Sequence, residues 1–208
     1  MQALVVSAHP GGDGIGQRSV QVAQDALRRA GHTVTCLDLA EIGFQPRMSR
    51  LEWEAYQRLE AALEETTAAH AGLVASCDVL VFVFPCRNWG VPALLKGWLE
   101  RVLVPGVAFE LNERTARIEG RLGHVQHLIG VTTSTLPRWQ IRLFGDAGRR
   151  TVIRSLRLLC SWRTRATWMS LYNAEQADDD RQRAFLAHVD GLARLRDRRR
   201  IRPRWWPR

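Results

Sequence analysis

Apolar positions along the chain follow two alternating rhythms: short continuous runs that mark strands buried on both faces, and stripes at helical spacing that mark amphipathic helices. The first run is QALVVSA, Gln2 to Ala8. Gln17 to Ala30 then carries Val20, Ala23, Leu27 and Ala30 on one helical face and stops at Gly31, a residue suited to the position just past a helix end. TVTCLDL (Thr33 to Leu39) reads as a second strand, Gly43 to Ser49 as a loop, and Arg50 to Ser76 as mostly helix with one break near Tyr56 or Thr66. DVLVFVFP (Asp78 to Pro85) is the plainest buried strand. Pro92 opens the next helix, where a missing N–H costs nothing, and Leu94, Leu95, Trp98 and Val102 form its stripe. A fourth strand is expected over His124 to Ser134, a helix over Gly145 to Cys160, and a fifth strand over Arg165 to Tyr172. A last helix runs from Ala177 to Arg196 behind the acidic cap ADDD.

Five strands alternating with helices predict an α/β fold with three layers, a doubly wound parallel sheet in the order 2-1-3-4-5. In such sheets ligands bind beyond the carboxyl ends of the strands, at the switch point between strands one and three. Three segments converge there: His9 to Arg18, Pro85 to Val91, and Thr132 to Trp139.

Composition adds one domain and a tail. At 208 residues, 46% hydrophobic and 25% charged, the chain suits a single globular domain over 1–196, followed by a segment 197–208 of different character. From Arg194 onward, RLRDRRRIRPRWWPR holds eight arginines and one aspartate, so +7 of the total +9 lies there and about +2 remains elsewhere. That distribution gives no support to nucleic acid as a partner of the domain. The tail reads as a solvated extension, with Trp205 and Trp206 leaving contact with an anionic membrane surface, nucleic acid or another subunit as alternatives. No long uncharged apolar run and no leader-like start are visible, so a cytoplasmic location is expected. Cys36, Cys77, Cys86 and Cys160 lack ligand or dithiol spacing and read as small hydrophobes, and no metal site is expected.

The loop HPGGDGIGQRS looks like a phosphate-binding turn but matches neither common fingerprint. Gly12 and Gly14 begin a GxGxxG, yet Gln17 stands at its last glycine. Gly11 and Gly16 have the GxxxxGK spacing, yet Gln17 and Arg18 replace the lysine and hydroxyl. With no Lys-Ser/Thr pair and no acidic residue after an apolar strand, a P-loop hydrolase is disfavoured. What remains is general: glycines let backbone approach an anion, and a helix start presents free N–H groups to it, with His9 and Arg18 as further donors. A plain strand-to-helix turn has the same composition.

FPCRNWGVPALLKGWLERVL, Phe84 to Leu103, is more specific. Its strand ends in F-P, a short aromatic and polar loop follows, and then G-x-P-A-x-L-K-G-W-x-E-R-V, carried by Gly90, Pro92, Ala93, Leu95, Lys96, Gly97, Trp98, Glu100, Arg101 and Val102. With VVSAHP, GHTVTCLDLAEIGFQPRMSRLE and GVTTS, this segment resembles the flavodoxin-like NAD(P)H:quinone oxidoreductases, well over residues 2–135 and in topology beyond.

The resemblance implies a non-covalent flavin, FMN or FAD, with NAD(P)H as hydride donor and a quinone or nitroaromatic acceptor. It implies that His9 contacts the flavin phosphate, with Gly14, Gly16 and Arg18 around it and Ile15 near the ribityl chain. Pro85, Cys86, Arg87, Asn88 and Trp89 would flank the isoalloxazine, with Arg87 a cation near the reduced ring and Cys86 a neighbour with no nucleophilic part. Thr132 and Thr133 would edge its pyrimidine side. Trp139 stands near the family's substrate-stacking aromatic, and a homodimer is implied. The sequence departs from the family at Gly14 and Gly16, where its hydroxyl and amide donors fall, and after Ser134, where TLPRWQIRLFGDAG carries no histidine. Arg138 and Arg142 are suited either to the phosphate of NADPH or to a solvated face. The leading reading is a flavin-dependent oxidoreductase; the alternative is a flavin-binding ancillary subunit of a membrane transporter.

Overall fold

The structure, a computed structural model, describes residues 1–196; the Arg- and Trp-rich segment 197–208, with the membrane contact suggested for it, lies outside the described residues. Strands β1 (Gln2–Ser7), β2 (Thr33–Asp38), β3 (Val79–Cys86), β6 (His127–Ser134) and β7 (Arg165–Leu171) form one parallel sheet in the spatial order β2-β1-β3-β6-β7. The two remaining strands, β4 (Phe109–Asn112) and β5 (Arg117–Gly120), pair antiparallel as a separate hairpin. The expected order 2-1-3-4-5 therefore holds only when the hairpin is left out of the numbering.

Alternation along the strands builds two cores. Leu4, Val6, Leu80, Phe82, Phe84 and Leu128 face one layer, where helices α3 (Glu65–Ser76) and α4 (Ala93–Val102) cover them. Ala3, Val5, Val79, Val81, Val83, Ile129 and Val131 face the other, under α1 (Ile15–Arg29) and α7 (Asp179–Asp190). Strand β3 is apolar throughout because it is central and covered on both sides.

A buried ion pair fixes the segment between β2 and α4. Helix α2 (Arg50–Gln57) begins with a capping box in which Ser49 and Glu52 satisfy each other's backbone N–H groups. Arg101, 4% exposed, donates to Glu52 through Nε at 2.9 Å and to Glu64 through Nη2 at 2.7 Å, and lies 5.4 Å above the Phe44 ring. Pro46 then packs so closely on α4 that a Cβ at Gly97 would sit 2.2 Å from its carbonyl oxygen. The loop from Phe44 to Pro46 and helix α4 are two halves of one contact.

The region after β6 departs from the sequence reading. Helix α5 (Arg138–Leu143) occupies a stretch to which the sequence pattern assigns no element, and the single helix expected over 145–160 is replaced by a short α6 (Ala147–Arg149) that opens into a π-helical turn, Arg150–Ser155. Asp146 takes a left-handed conformation (φ 47°) and caps the Arg149 N–H, resetting the chain direction there. The far end stops short of Cys160 because the Leu159 carbonyl accepts from the Leu122 N–H at 2.8 Å, joining this segment to the chain that leaves the hairpin. Among the described residues, no helix is long and apolar enough to cross a membrane.

Candidate active site

The loops that follow β1, β3 and β6 leave adjacent strand ends. Ala8 is held to β3 by its N–H on the Val83 carbonyl at 3.0 Å, and Pro85 and Cys86 lie in register with Thr133 and Ser134. The three predicted segments thus meet at the carboxyl end of the sheet, over its central strands.

On the first loop, α1 starts at Ile15 with Gly14 as N-cap and no side-chain cap, so its first-turn N–H groups have no partner from within the helix. His9 is 8% exposed, and its Nε2 is buried without a hydrogen-bond partner among the described residues. Its ring presses onto α1 at Gly16, where a Cβ would lie 2.0 Å from Cε1. Burial lowers its pKa to about 4, against an opposing pull from Asp38, and the Arg87 charge lowers it further. The imidazole is neutral at pH 7. Gln17 Oε1 is a second buried polar atom without a partner.

The other residues of this loop have different surroundings. Gly14 faces open space. Ile15 packs on the core beneath α1 and α7, Arg18 reaches Gln182 of α7 at 3.5 Å, and the Ser19 hydroxyl donates to the Ile15 carbonyl at 2.6 Å. Backbone N–H groups are therefore the donors that the turn itself offers.

The second loop is a tight reversal. Arg87 and Gly90 exchange N–H···O bonds at 3.2 and 2.9 Å, while Asn88 (φ 45°) and Trp89 (φ 61°) both lie in the left-handed region, as in a type I′ turn. A bulky ring in that region is strained and needs surrounding structure to hold it. Two contacts hold it: the Trp89 ring packs against Phe144 with centroids 5.0 Å apart and planes tilted by 49°, and the Trp89 carbonyl accepts from the Gly148 N–H at 3.3 Å. Cys86 beside it has its thiol pushed up to about 11 by burial, helped by the Asp146 charge, which keeps it protonated.

On the third segment Thr132, Thr133 and Ser134 are buried, and the Ser134 hydroxyl accepts from the Leu136 N–H at 3.1 Å. Trp139 is 64% exposed. The aromatic joined to the Trp89 turn is Phe144, which the sequence reading overlooked; its only signal was an apolar residue directly before Gly145 in LFGDAG.

This arrangement of a parallel sheet with an uncapped helix start at its switch point has relatives. A family model described as flavodoxin-like fold matches residues 1–193. The chain belongs to that family. Within it, the flavodoxin-like chain is 31% identical over 151 residues to a ribosyldihydronicotinamide dehydrogenase (quinone) of Pongo abelii, across 64% of this chain and 63% of that one. It is 30% identical over 147 residues to NAD(P)H dehydrogenase (quinone) 1 of Rattus norvegicus, across 64% and 53%. It thus spans less than two thirds of the length of these curated relatives.

Solved structures align over more of the flavodoxin-like chain. Smu.1420 of Streptococcus mutans UA159 superposes with a TM-score of 0.81 at 26% identity, covering 93% of this chain and 99% of that one. An NAD(P)H:quinone oxidoreductase of Methanothermobacter marburgensis gives 0.80 at 21%, covering 93% and 98%. An FMN-dependent NADH-azoreductase of Bacillus anthracis, in complex with FMN, gives 0.69 at 15%, covering 92% and 97%. At these last two identities the likeness is one of fold.

Proposed function

We propose that the chain binds a flavin, FMN in the first instance, at the strand ends and serves as an NAD(P)H oxidoreductase for quinone-like acceptors. The observation that carries this reading is the partnerless His9 Nε2 buried beside an uncapped helix start, since an anion is what both lack. The named activities of the quinone dehydrogenase relatives and the FMN of the azoreductase support the choice of ligand and acceptor.

When bound, a flavin takes two electrons from reduced nicotinamide and passes them to the acceptor. The protein's part is binding, orientation and charge. First-turn N–H groups of α1 and the His9 ring hold the phosphate, and neutrality of His9 lets Nε2 donate without leaving a buried cation when the site is empty. The Pro85 to Trp89 turn offers backbone groups to a planar ring, and the Trp89 indole keeps water from one side of it. Arg87 supplies positive charge toward a ring that becomes more negative on reduction. Thr132 and Thr133 supply polar groups from the neighbouring strand end. Exposed Trp139, Leu143 and Phe144 form an apolar face suited to a second copy of the chain or to the acceptor.

Purified protein with added FMN, assayed for visible flavin absorption and for quinone-dependent NAD(P)H oxidation, tests the reading. Flavin binding with turnover is expected. Protein that stays colourless and inert with FMN or FAD overturns it, and flavin-loaded protein without turnover leaves the ancillary-subunit alternative. Arg87→Ala is expected to lower the rate and the flavin reduction potential; no change in either removes that role.

A further inference from the structure

A 720 Å³ cavity lies beside the proposed flavin region, and five arginines line it: Arg138 and Arg142 of α5, Arg149 of α6, and Arg150 and Arg154 of the π-helical turn. Consecutive residues Trp168 to Tyr172 form its opposite wall. Their side chains alternate across the sheet, so the cavity runs along the outer edge of β7, which among the described residues pairs only with β6.

The charge here is uncompensated. Elsewhere on the surface, Arg28, Arg29, Arg50, Arg58, Arg121 and Arg183 each meet a carboxylate. Among the described residues none of the five cavity arginines does. Asp146, the one acidic residue in the lining, turns its carboxylate to the Arg149 backbone N–H at 3.3 Å. Trp168, in the opposite wall, adds an indole Nε1 that is buried without a partner among the described residues. Several unpaired guanidinium groups around one space suit phosphate, which accepts bidentate bonds from the planar fork.

Position indicates which phosphate. The segment from Phe144 to Gly148 touches the Trp89 turn through the Phe144 ring and the Gly148 N–H, and the same segment lines the cavity through Gly145 and Asp146. A molecule whose planar end lies at the Trp89 turn has the arginine cavity just across that segment. A dinucleotide donor has this form, and one with a 2′-phosphate carries the extra negative charge that five arginines favour.

We propose that this cavity holds the phosphorylated adenosine half of the donor and selects NADPH over NADH. The inference rests on the oxidoreductase reading above for its donor, but the binding site can be tested without turnover. The full chain is titrated calorimetrically with 2′,5′-ADP, with 5′-ADP and with inorganic phosphate. Binding of 2′,5′-ADP at least about tenfold tighter than either is expected, the scale of one or two charge-assisted hydrogen bonds. Arg142→Ala with Arg149→Ala is expected to abolish that preference and leave FMN affinity unchanged, and Arg154→Gln provides a milder variant should the pair fail to fold. In turnover, the pair should raise KM for NADPH toward that for NADH at similar kcat. Equal binding of 2′,5′-ADP and 5′-ADP, phosphate binding as tightly as 2′,5′-ADP, or variants that keep the preference would each overturn the proposal. Selective 2′,5′-ADP binding by protein that never reduces quinone would uphold the cavity and reject the quinone reductase reading alone.

Discussion

The imidazole of His9 occupies the volume that any side chain at position 16 would need, because the ring lies against the Gly16 Cα on the first turn of α1. Gly16→Ala is therefore expected to push the ring out of its slot. Forcing a methyl into such a contact typically costs about 1–3 kcal/mol. The variant should unfold at lower denaturant than the parent and bind FMN at least about tenfold more weakly, for the loss of one charge-assisted bond. Fluorescence quenching of FMN reads the second effect; parental affinity would separate the His9 ring from phosphate binding.

His9 also sets a pH dependence. Its pKa is about 4 in the folded chain against 6.5 for the free side chain, so only the unfolded state gains a proton as pH falls through the interval between them. The contribution to stability is whole above pH 6.5 and is lost on acidification toward pH 4. Denaturant unfolding of flavin-free protein at pH 7.5 and 5 should show that slope, and His9→Asn should flatten it. Proton NMR of the ring should place its titration near 4, moved upward when inorganic phosphate or FMN is added.

Arg101 and Glu52 give a second pH effect, of different cause. Burial disfavours the Glu52 charge, but hydrogen bonds from Arg101 and Ser49 outweigh it and hold the carboxyl below its usual range. Its contribution is present above the ordinary glutamate range and lost as pH falls below it. Arg101→Met strands the carboxylate in the interior, with an expected loss of about 3–5 kcal/mol at pH 7 by urea unfolding. Pairing it with Glu52→Gln should recover part of that loss.

Cys86 lies between the Trp89 turn and α6, where it invites a nucleophilic reading. Its thiol is held near 11, so alkylation by iodoacetamide at pH 7.5 should be slower than for an unperturbed thiol, and Cys86→Ser should retain turnover within about twofold. Rapid labelling at Cys86 together with loss of activity in the serine variant would restore a chemical part for the sulfur.

Legibility in the sequence followed burial. Strands such as VLVFVFPC announced themselves because both faces are covered, and a continuous apolar run has few other uses. The hairpin FELN and RIEG was missed because its side chains are largely exposed and its turn, ERTA, lacks the Asn-Gly or Asp-Gly signal. The helix expected over 145–160 failed for a tertiary reason: Leu122 bonds to Leu159, which no local pattern records. At the site, sequence alone presents the glycine at 16 as a lost donor, whereas in the fold it makes room for the His9 ring. Phe144 escaped notice because its contact with Trp89 spans distant parts of the chain.

The side of β7 turned away from β6, unpaired among the described residues, has a bearing on how these molecules behave toward one another. A parallel sheet that ends in bare N–H and C=O groups is a template for another strand, and natural sheets blunt such rims with charge. On this rim, any approach that set one β7 against another would bring two banks of guanidinium groups face to face. The same arginines that leave room for an anion thus discourage the sheet from growing across molecules, and sequestering them with phosphate-rich ligands would weaken that safeguard.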